Sequence, residues 1–160
     1  AQAFAVRTRG SAYGLELFVK RKLTSRLGGF VSYTLSRSTR AYDTSSFVSS
    51  FDRTHVGNAA VGYDLGRGWR AGTRVVFYTG LPASTLAGAP PSRLPAFFRL
   101  DLRLEKRCRL GERAWISGVA EWMNATLSKE AISTRCTLQG CEAQTVGPVT
   151  IPSLGVEGGF

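Results

Sequence analysis

The chain has 160 residues, of which 43% are hydrophobic and 20% are charged, and this is the composition of a folded domain rather than of a disordered segment. Its 21 Lys and Arg outnumber its 11 Asp and Glu and give a formal net charge of +10, which is typical of proteins that meet nucleic acid, anionic lipid or an acidic partner. No stretch approaches about 18 consecutive apolar residues, so a transmembrane helix is excluded. We expect a single domain over residues 1–160.

Four β-strands are predicted in the first half of the chain from the alternation of apolar and polar residues, because successive side chains of a strand point to opposite faces. The expected strands cover residues 11–22, 30–38, 54–65 and 69–78. Residues 24–29 and 66–68 are predicted to be tight turns, because their glycines can supply the positive φ angles that hairpins need. Between the second and third strands, residues 41–52 form a longer polar connection.

The clearest alternation in the chain lies in residues 98–106 and predicts the fifth strand. Its apolar row is Phe98, Leu100, Leu102 and Leu104, and its charged row is Arg99, Asp101, Arg103 and Glu105. A proline-rich connection over residues 80–94 precedes it, and a tight turn over residues 110–113 follows it. A sixth strand is expected over residues 114–125, although Val119, Trp122, Met123 and Leu127 also fit helical spacing and residues 121–132 contain few β-branched residues. After a third long connection over residues 126–152, residues 154–160 form the last strand.

The predicted connections alternate between short and long along the whole chain. Short turns on one edge and long loops on the other are typical of outer-membrane β-barrels, whose strands of about 9 to 11 residues cross the bilayer at a tilt. The expected fold is therefore all-β, an antiparallel up-and-down transmembrane β-barrel of about seven or eight strands that is either complete or part of a larger barrel. An eighth strand in residues 1–8, turning at Arg9 and Gly10, would make the count even.

The cost of placing charge in lipid decides which face of each strand is enclosed. An Arg at the middle of the bilayer costs about 2 to 4 kcal/mol on the lipid side of a barrel, so the charged rows are expected to line the lumen. The expected lumen-lining residues are Glu16, Arg74, Arg99, Asp101, Arg103, Glu105 and Glu121. The expected lipid-facing residues are Leu15, Leu17, Val31, Tyr33, Leu35, Phe98, Leu100, Leu102 and Leu104. In the lumen the charged residues either neutralise one another across the sheet, which we favour, or contact a ligand.

Aromatic and basic residues are predicted to mark the membrane boundaries. Aromatic side chains gather near the strand ends, which suits interfacial girdles. Nearly half of the 21 basic residues surround the tight turns, where they would meet anionic head groups of outer-membrane lipids such as lipopolysaccharide. No basic stripe interleaved with stacking aromatics is present, so nucleic acid is not an expected partner. Alternation does not show which face is wet, so a soluble β-barrel that binds a small apolar ligand remains an alternative.

Few residues of the chain suit covalent chemistry or metal binding. Cys136 and Cys141 lie in a polar, turn-rich stretch, which favours a disulfide over free thiols. With His55 as the only histidine, the sequence offers a poor zinc site, so no metal is expected. His55 is interpreted as a polar residue at a strand end, because the chain has no nucleophile elbow, phosphate loop or histidine pair. We expect neither an enzyme nor a cofactor.

Several segments, in their order and spacing, resemble the last strands of TonB-dependent outer-membrane receptors. They are residues 11–17, 31–36, 51–55, 78–82, 99–103 and 121–124 and the terminal Phe160. The resemblance covers nearly the whole chain and implies a large barrel in the bacterial outer membrane, plugged by an amino-terminal domain, that imports nutrients such as metal chelates, cobalamin or glycans. It also implies that Phe160 is a signal read by the barrel assembly machinery, and that TonB acts only through a plug domain, for which these residues leave no room.

A second outer-membrane interpretation stays open beside the receptor. It is a self-contained small barrel of about eight strands with a structural or anchoring role. The interior of such a barrel is filled by side chains, so the inward charges would form an ion-paired core without a pore.

Overall fold

The structure, a computed structural model, describes residues 9–24, 26–42, 45–83, 92–138 and 140–160. These ranges contain twelve β-strands. They are β1 (Arg9–Thr24), β2 (Leu27–Tyr42), β3 (Ser45–Val48), β4 (His55–Gly66), β5 (Trp69–Tyr78), β6 (Pro82–Ala83), β7 (Ser92–Arg93), β8 (Phe97–Leu110), β9 (Ala114–Met123), β10 (Glu130–Thr137), β11 (Gly140–Val146) and β12 (Ile151–Gly159). Across the same ranges, no helix has the length and apolar character required to cross a membrane.

Seven of these strands form an antiparallel meander in the order β1-β2-β4-β5-β8-β9-β12, and β3 pairs with the end of β2 as an eighth strand of the same sheet. Two small hairpins, β6 with β7 and β10 with β11, lie outside this sheet. β1 and β12 are the edges of the meander, and within the described residues the sheet is open. The prediction of an all-β, antiparallel up-and-down sheet of about this many strands is confirmed.

Short and long connections alternate along the meander, as predicted. β1 joins β2, β4 joins β5 and β8 joins β9 through two or three residues, whereas residues 43–54, 79–96 and 124–150 join the other pairs. Because successive strands run up and down, the short turns share one end of the sheet, the turn end, and the long connections share the other, the loop end. Val119, Trp122 and Met123 lie in β9, and residues 124–126 form a turn before Leu127, so the helical alternative for this segment is wrong.

The first turn falls within the predicted residues 24–29, but the glycine pair expected to supply its positive φ angles lies inside β2, so the predicted role of these glycines is wrong. A Cβ added to Gly28 would come within 2.7 Å of the Leu23 backbone, and a Cβ added to Gly29 would overlap the carbonyl oxygen of Ala60. Both glycines therefore allow close approach of neighbouring backbone rather than a positive φ angle. The sequence does not distinguish these two uses of glycine.

The amino-terminal end of β1 also differs from the prediction. Arg9 and Gly10 are not a turn, because they belong to β1 and pair with Ala41 and Arg40 of β2. The eighth strand predicted in residues 1–8 lies outside the described residues.

The register of the meander gives the sheet one apolar face and one polar face, because residues that oppose each other on neighbouring antiparallel strands share a face. The apolar face includes Leu15, Leu17, Val31, Tyr33, Leu35, Phe98, Leu100, Leu102 and Leu104. The polar face includes Glu16, Arg74, Arg99, Asp101, Arg103, Glu105 and Glu121. Each predicted group therefore occupies a single common face of the sheet.

Polar side chains outnumber apolar ones among the described residues that are buried, which is the reverse of the usual pattern in a soluble protein. Leu102 and Leu104 on the apolar face are 41% and 42% exposed. In the part of the chain that the structure describes, the buried hydrophobic side chains are Leu94 and Val119 alone. Buried polar residues are more numerous: Ser49, Asp52, Glu105, Ser117 and Asn124. The described residues thus enclose polar groups and leave the apolar face uncovered.

Candidate functional site

The polar face carries a set of ion pairs around Arg103. β8 and β9 place Arg103 opposite Glu121, and β12 brings Glu157 to the same guanidinium. Nη1 of Arg103 donates to Oε1 of Glu121 at 2.5 Å, and Nη2 donates to Oε1 of Glu157 at 2.9 Å. Nη2 also lies 3.6 Å from Oε2 of Glu105. One side chain therefore joins three strands, and its charged hydrogen bonds fix the orientation of the guanidinium.

Glu105 is a buried carboxylate next to this cluster. Its Oε1 accepts hydrogen bonds from Oγ of Ser117 at 3.0 Å and from Nη2 of Arg107 at 3.0 Å. The guanidinium carbon of Arg107 in turn lies 3.9 Å from the centroid of the Trp115 ring. These partners offset the cost of removing the carboxylate from water.

Asp101 links the ion pairs to the connection that follows β9. Its Oδ2 accepts a hydrogen bond from Nη2 of Arg99 at 3.1 Å, and its Oδ1 accepts one from the backbone N–H of Asn124 at 2.9 Å. The buried Asn124 side chain donates from Nδ2 to the backbone oxygens of Ser128 and Val149, at 2.9 and 3.0 Å. Both ends of the connection between β9 and β12 are therefore held beside the polar face.

A groove of about 570 Å³ opens on the polar face. Its floor includes Gly28, Gly62 and Gly72, which the register places side by side on three neighbouring strands. Charged residues of β5, β8 and β9 line it: Arg74, Arg99, Asp101, Arg103 and Glu121. A Cβ added to Gly62 would meet no atom within 4 Å, and one added to Gly72 would come no nearer than 3.6 Å to Arg103, so the space above these two glycines is open, whereas Leu23 lies over Gly28.

Arg74 differs from the other arginines of this groove. It faces Asp101 across β5 and β8, but the oxygens of Asp101 are already bonded to Arg99 and Asn124. Within the described ranges, the exposed guanidinium of Arg74 forms no hydrogen bond and no ion pair. Its positive charge therefore lies in the groove without a paired carboxylate from the described residues.

The seven predicted lumen residues share the polar face, but only five of them interact. Glu16 lies apart on the edge strand β1, opposite Thr34, and Arg74 lies beside the cluster without joining it. The sequence prediction missed three members of the cluster, which are Arg107, Ser117 and Glu157. The alternation of polar and apolar residues along each strand could have identified them, because each occupies a polar-face position of its strand.

A second polar cluster lies at the loop end and is centred on the buried Asp52. Its carboxylate accepts hydrogen bonds from the backbone N–H of Ser38 at 2.5 Å, from Oγ1 of Thr54 at 3.3 Å and from Arg93. Nη1 of Arg93 also donates to the backbone oxygens of Asp52 and Gly80, at 2.9 and 3.1 Å. Burial acts to raise the pKa of Asp52, but the hydrogen bonds from Arg93 and Ser38 outweigh it and hold this pKa below its ordinary value.

Neighbours of Asp52 extend this cluster to the other long connections. The guanidinium of Arg53 lies 3.9 Å from the centroid of the Tyr78 ring and pairs with Glu130 at 3.4 Å. His55 begins β4, at the strand end where the sequence places it, and its backbone N–H donates to Oγ1 of Thr79 at 3.1 Å. Residues 51–55 and 78–82, two of the segments that resemble the receptor family, are therefore in contact.

Two further features named in the sequence analysis, the cysteine pair and the terminal aromatic residue, lie away from both clusters. Cys136 and Cys141 oppose each other across β10 and β11 and form a disulfide near the tip of that hairpin. Phe160 follows β12, and its side chain is fully exposed. In the described ranges, no group of three His, Cys, Asp or Glu side chains is arranged to hold a metal ion.

Lys106 is a charged residue at an apolar-face position of β8. Its ammonium donates to the backbone oxygen of Arg67 at 2.7 Å and lies 5.0 Å from the centroid of the Trp69 ring. The side chain therefore keeps its charge against the turn end while its alkyl stem lies along the apolar face.

Comparison of the chain with protein-family models, with curated proteins and with solved structures finds no match. A function is therefore inferred from the residues, geometry and chemistry of the chain itself.

Proposed function

We propose that this chain forms part of the wall of a β-barrel in the bacterial outer membrane, and that the barrel is a TonB-dependent receptor that takes up a nutrient such as a metal chelate, cobalamin or a glycan. The apolar face contacts lipid, and the polar face lines the lumen. Outer-membrane lipids, including lipopolysaccharide, and the barrel assembly machinery are its partners.

The observation that carries this proposal is the reversed burial of the sheet. Glu105 of β8 and Ser117 of β9 are buried on the polar face. Leu102 and Leu104, which also belong to β8, are exposed on the apolar face. In water, an uncovered apolar face that runs across seven strands would cause association or aggregation. In a bilayer, acyl chains cover that face without any further protein layer.

The open edges of the sheet support closure into a barrel. All 16 residues of β1 are exposed, and so are those of β12 apart from Gly159. An edge strand leaves backbone N–H and C=O groups without partners, and hydrocarbon cannot hydrogen-bond them. In the proposed barrel both edges pair with further strands. A wider ring of strands also accommodates the groove, which a barrel of about eight strands filled by side chains would not.

The turn end has the composition of a membrane boundary. Basic residues surround its three turns: Lys20, Arg21, Lys22, Arg26, Arg67, Arg70, Lys106, Arg107, Arg109 and Arg113. Trp69 and Trp115 lie among them and contact Lys106 and Arg107. Interfacial aromatic side chains and cations that meet anionic head groups are typical of such boundaries.

The import role is supported by the resemblance of the ordered segments to TonB-dependent receptors. Two of these segments meet at the loop end through His55 and Thr79. In such a receptor TonB would act on a separate plug domain, and the polar face described here would surround that domain.

Gel mobility and detergent dependence test the barrel. The full-length protein, refolded in detergent, should migrate faster unboiled than boiled and should lose solubility when detergent is removed. A protein that stays monodisperse in plain buffer would instead be a soluble barrel.

Growth of a strain that lacks the protein, with each nutrient class as the sole source, tests import. Normal growth on metal chelates, cobalamin and glycans would contradict the import role and leave the barrel standing.

A further inference from the structure

Arg74 is the groove arginine that the described residues leave without a partner. Arg99 is bonded to Asp101 at 3.1 Å, and Arg103 is bonded to Glu121 and Glu157 at 2.5 and 2.9 Å. Arg74 faces the same Asp101, but that carboxylate is turned to Arg99 and to the Asn124 backbone. An exposed guanidinium that pairs with no carboxylate of the described residues is free to bind an anion from solution.

The residues beside Arg74 leave room for such an anion. On the side of the glycine floor, its polar-face neighbours are Ala60 on β4, Gly72 on its own strand and, diagonally, Gly62 on β4, whereas Val76 and Asp101 lie on its other sides. A Cβ added to Gly62 would meet no atom within 4 Å. The groove of about 570 Å³ has the volume of an ordinary small-molecule site.

The ion pairs next to Arg74 keep this space open. Arg103 is held by carboxylates of β9 and β12, so its side chain is not free to fold over the glycine floor. Side chains locked in this way preorganise a site because they need not be ordered on binding. The glycine floor and the ion-paired Arg103 therefore keep a preformed space open beside the guanidinium of Arg74.

We infer that Arg74 binds the oxyanion group of a small solute, a carboxylate or a phosphate, whose remainder lies over the glycine floor. A planar guanidinium matches both groups with paired N–H donors. Glu121 and Glu157 share the single cation Arg103, so that end of the groove is acidic. A solute with one anionic group at Arg74 therefore fits better than a polyanion that extends along the groove.

Arginine modification tests the site on the full-length protein in detergent. Phenylglyoxal, which attacks free guanidinium groups, should label Arg74 faster than the ion-paired Arg99 and Arg103, with each position scored by peptide mass spectrometry. Inorganic phosphate or acetate, each compared with chloride at equal ionic strength, should slow labelling of Arg74 by about threefold or more once the anion exceeds about twice its dissociation constant. The stronger of the two anions identifies the group that is recognised. Equal slowing at every arginine, or none at Arg74, would overturn the inference.

Two matched variants separate this site from general charge effects. Arg70 lies on the same strand and the same face as Arg74 but pairs with Asp64 at 3.7 Å. The protecting anion should raise the unfolding temperature of the wild type and of Arg70→Gln, and should lose that effect in Arg74→Gln. An equal response in Arg74→Gln would contradict the assignment.

The inference rests on the proposed function in placing the groove inside a lumen, and the same samples separate the two. If the protein migrates faster unboiled than boiled, but no anion slows the labelling of Arg74, the anion site is rejected and the barrel is retained. Protection of Arg74 in a protein that needs no detergent would reject the barrel and keep the site.

Discussion

Arg103 and Glu157 lie 54 positions apart in the chain and meet on the polar face, where Nη2 of the arginine is 2.9 Å from Oε1 of the glutamate. Glu121 binds the other terminal nitrogen of the same guanidinium at 2.5 Å. Because these residues belong to β8, β9 and β12, the contact fixes how the last strand sits against the rest of the sheet. It is a long-range contact formed by residues that alternation places on one face.

Arg103→Gln should destabilise the protein more than Glu121→Gln. Loss of the arginine leaves Glu105, Glu121 and Glu157 close together without their shared cation. We expect a loss of about 1 to 2 kcal/mol in the free energy of unfolding, because the cluster is only partly buried. Glu121→Gln should cost about half as much, because Arg103 keeps Glu157. Urea unfolding in detergent micelles measures both, and equal effects would contradict a shared cation.

The meander could be predicted because its strands alternate strictly, as residues 98–106 show. Alternation in the sequence alone also places Arg99 and Leu100 on opposite faces. It does not find pairs such as Asp52 with Arg93, which are 41 positions apart and lie at the loop end. It does not find the short strands β3, β6 and β7 or the polar hairpin of β10 and β11, because these lack a long apolar row. It also misreads Gly28 and Gly29, since glycine marks both turns and close backbone contacts.

Asp52→Asn should destabilise the loop end in a pH-dependent way. The folded pKa of Asp52 lies below its ordinary value, so its contribution to stability is fully present above the unfolded pKa of about 3.9 and is lost as the pH falls through the folded value. We expect the wild type to exceed Asp52→Asn by about 2 kcal/mol at neutral pH, with a smaller difference in strong acid. Measuring the free energy of unfolding of both proteins at several pH values checks this. A difference between them that grows on acidification would contradict a lowered pKa of Asp52 in the folded state. Glu142→Gln on the exposed strand β11 serves as the control and should leave stability at neutral pH unchanged.

Gly29→Ala should weaken the pairing of β2 with β4. A Cβ at position 29 would overlap the Ala60 carbonyl oxygen, so the two strands would have to separate at that point. We expect a cost of about 1 to 3 kcal/mol in unfolding free energy. Gly62→Ala, on the adjacent strand, has open space around its new Cβ and should stay within about 0.5 kcal/mol of the wild type. Similar values for the two variants would show that close strand approach at Gly29 is unimportant.

Leu104→Arg should be costly in a bilayer. On the lipid face, the arginine should lower the unfolding free energy measured in lipid vesicles by up to about 2 to 4 kcal/mol. Leu138→Arg, at a fully exposed position in the turn of the β10–β11 hairpin, should change it by less than about 0.5 kcal/mol. Two small effects would mean that Leu104 faces water.

The lipid contact of the apolar face is tested most directly by spin labels at single cysteines placed one at a time at positions 99 to 104 of β8, in a Cys108→Ser background reconstituted in lipid vesicles. Oxygen concentrates in acyl chains, whereas a charged nickel chelate stays in water. Labels at positions 100, 102 and 104 should be most accessible to oxygen, and labels at 99, 101 and 103 should be more accessible to the nickel chelate. The assignment of the leucine row to lipid would be contradicted if the labels at positions 99, 101 and 103 were the more accessible to oxygen, or if those at 100, 102 and 104 were the more accessible to the nickel chelate.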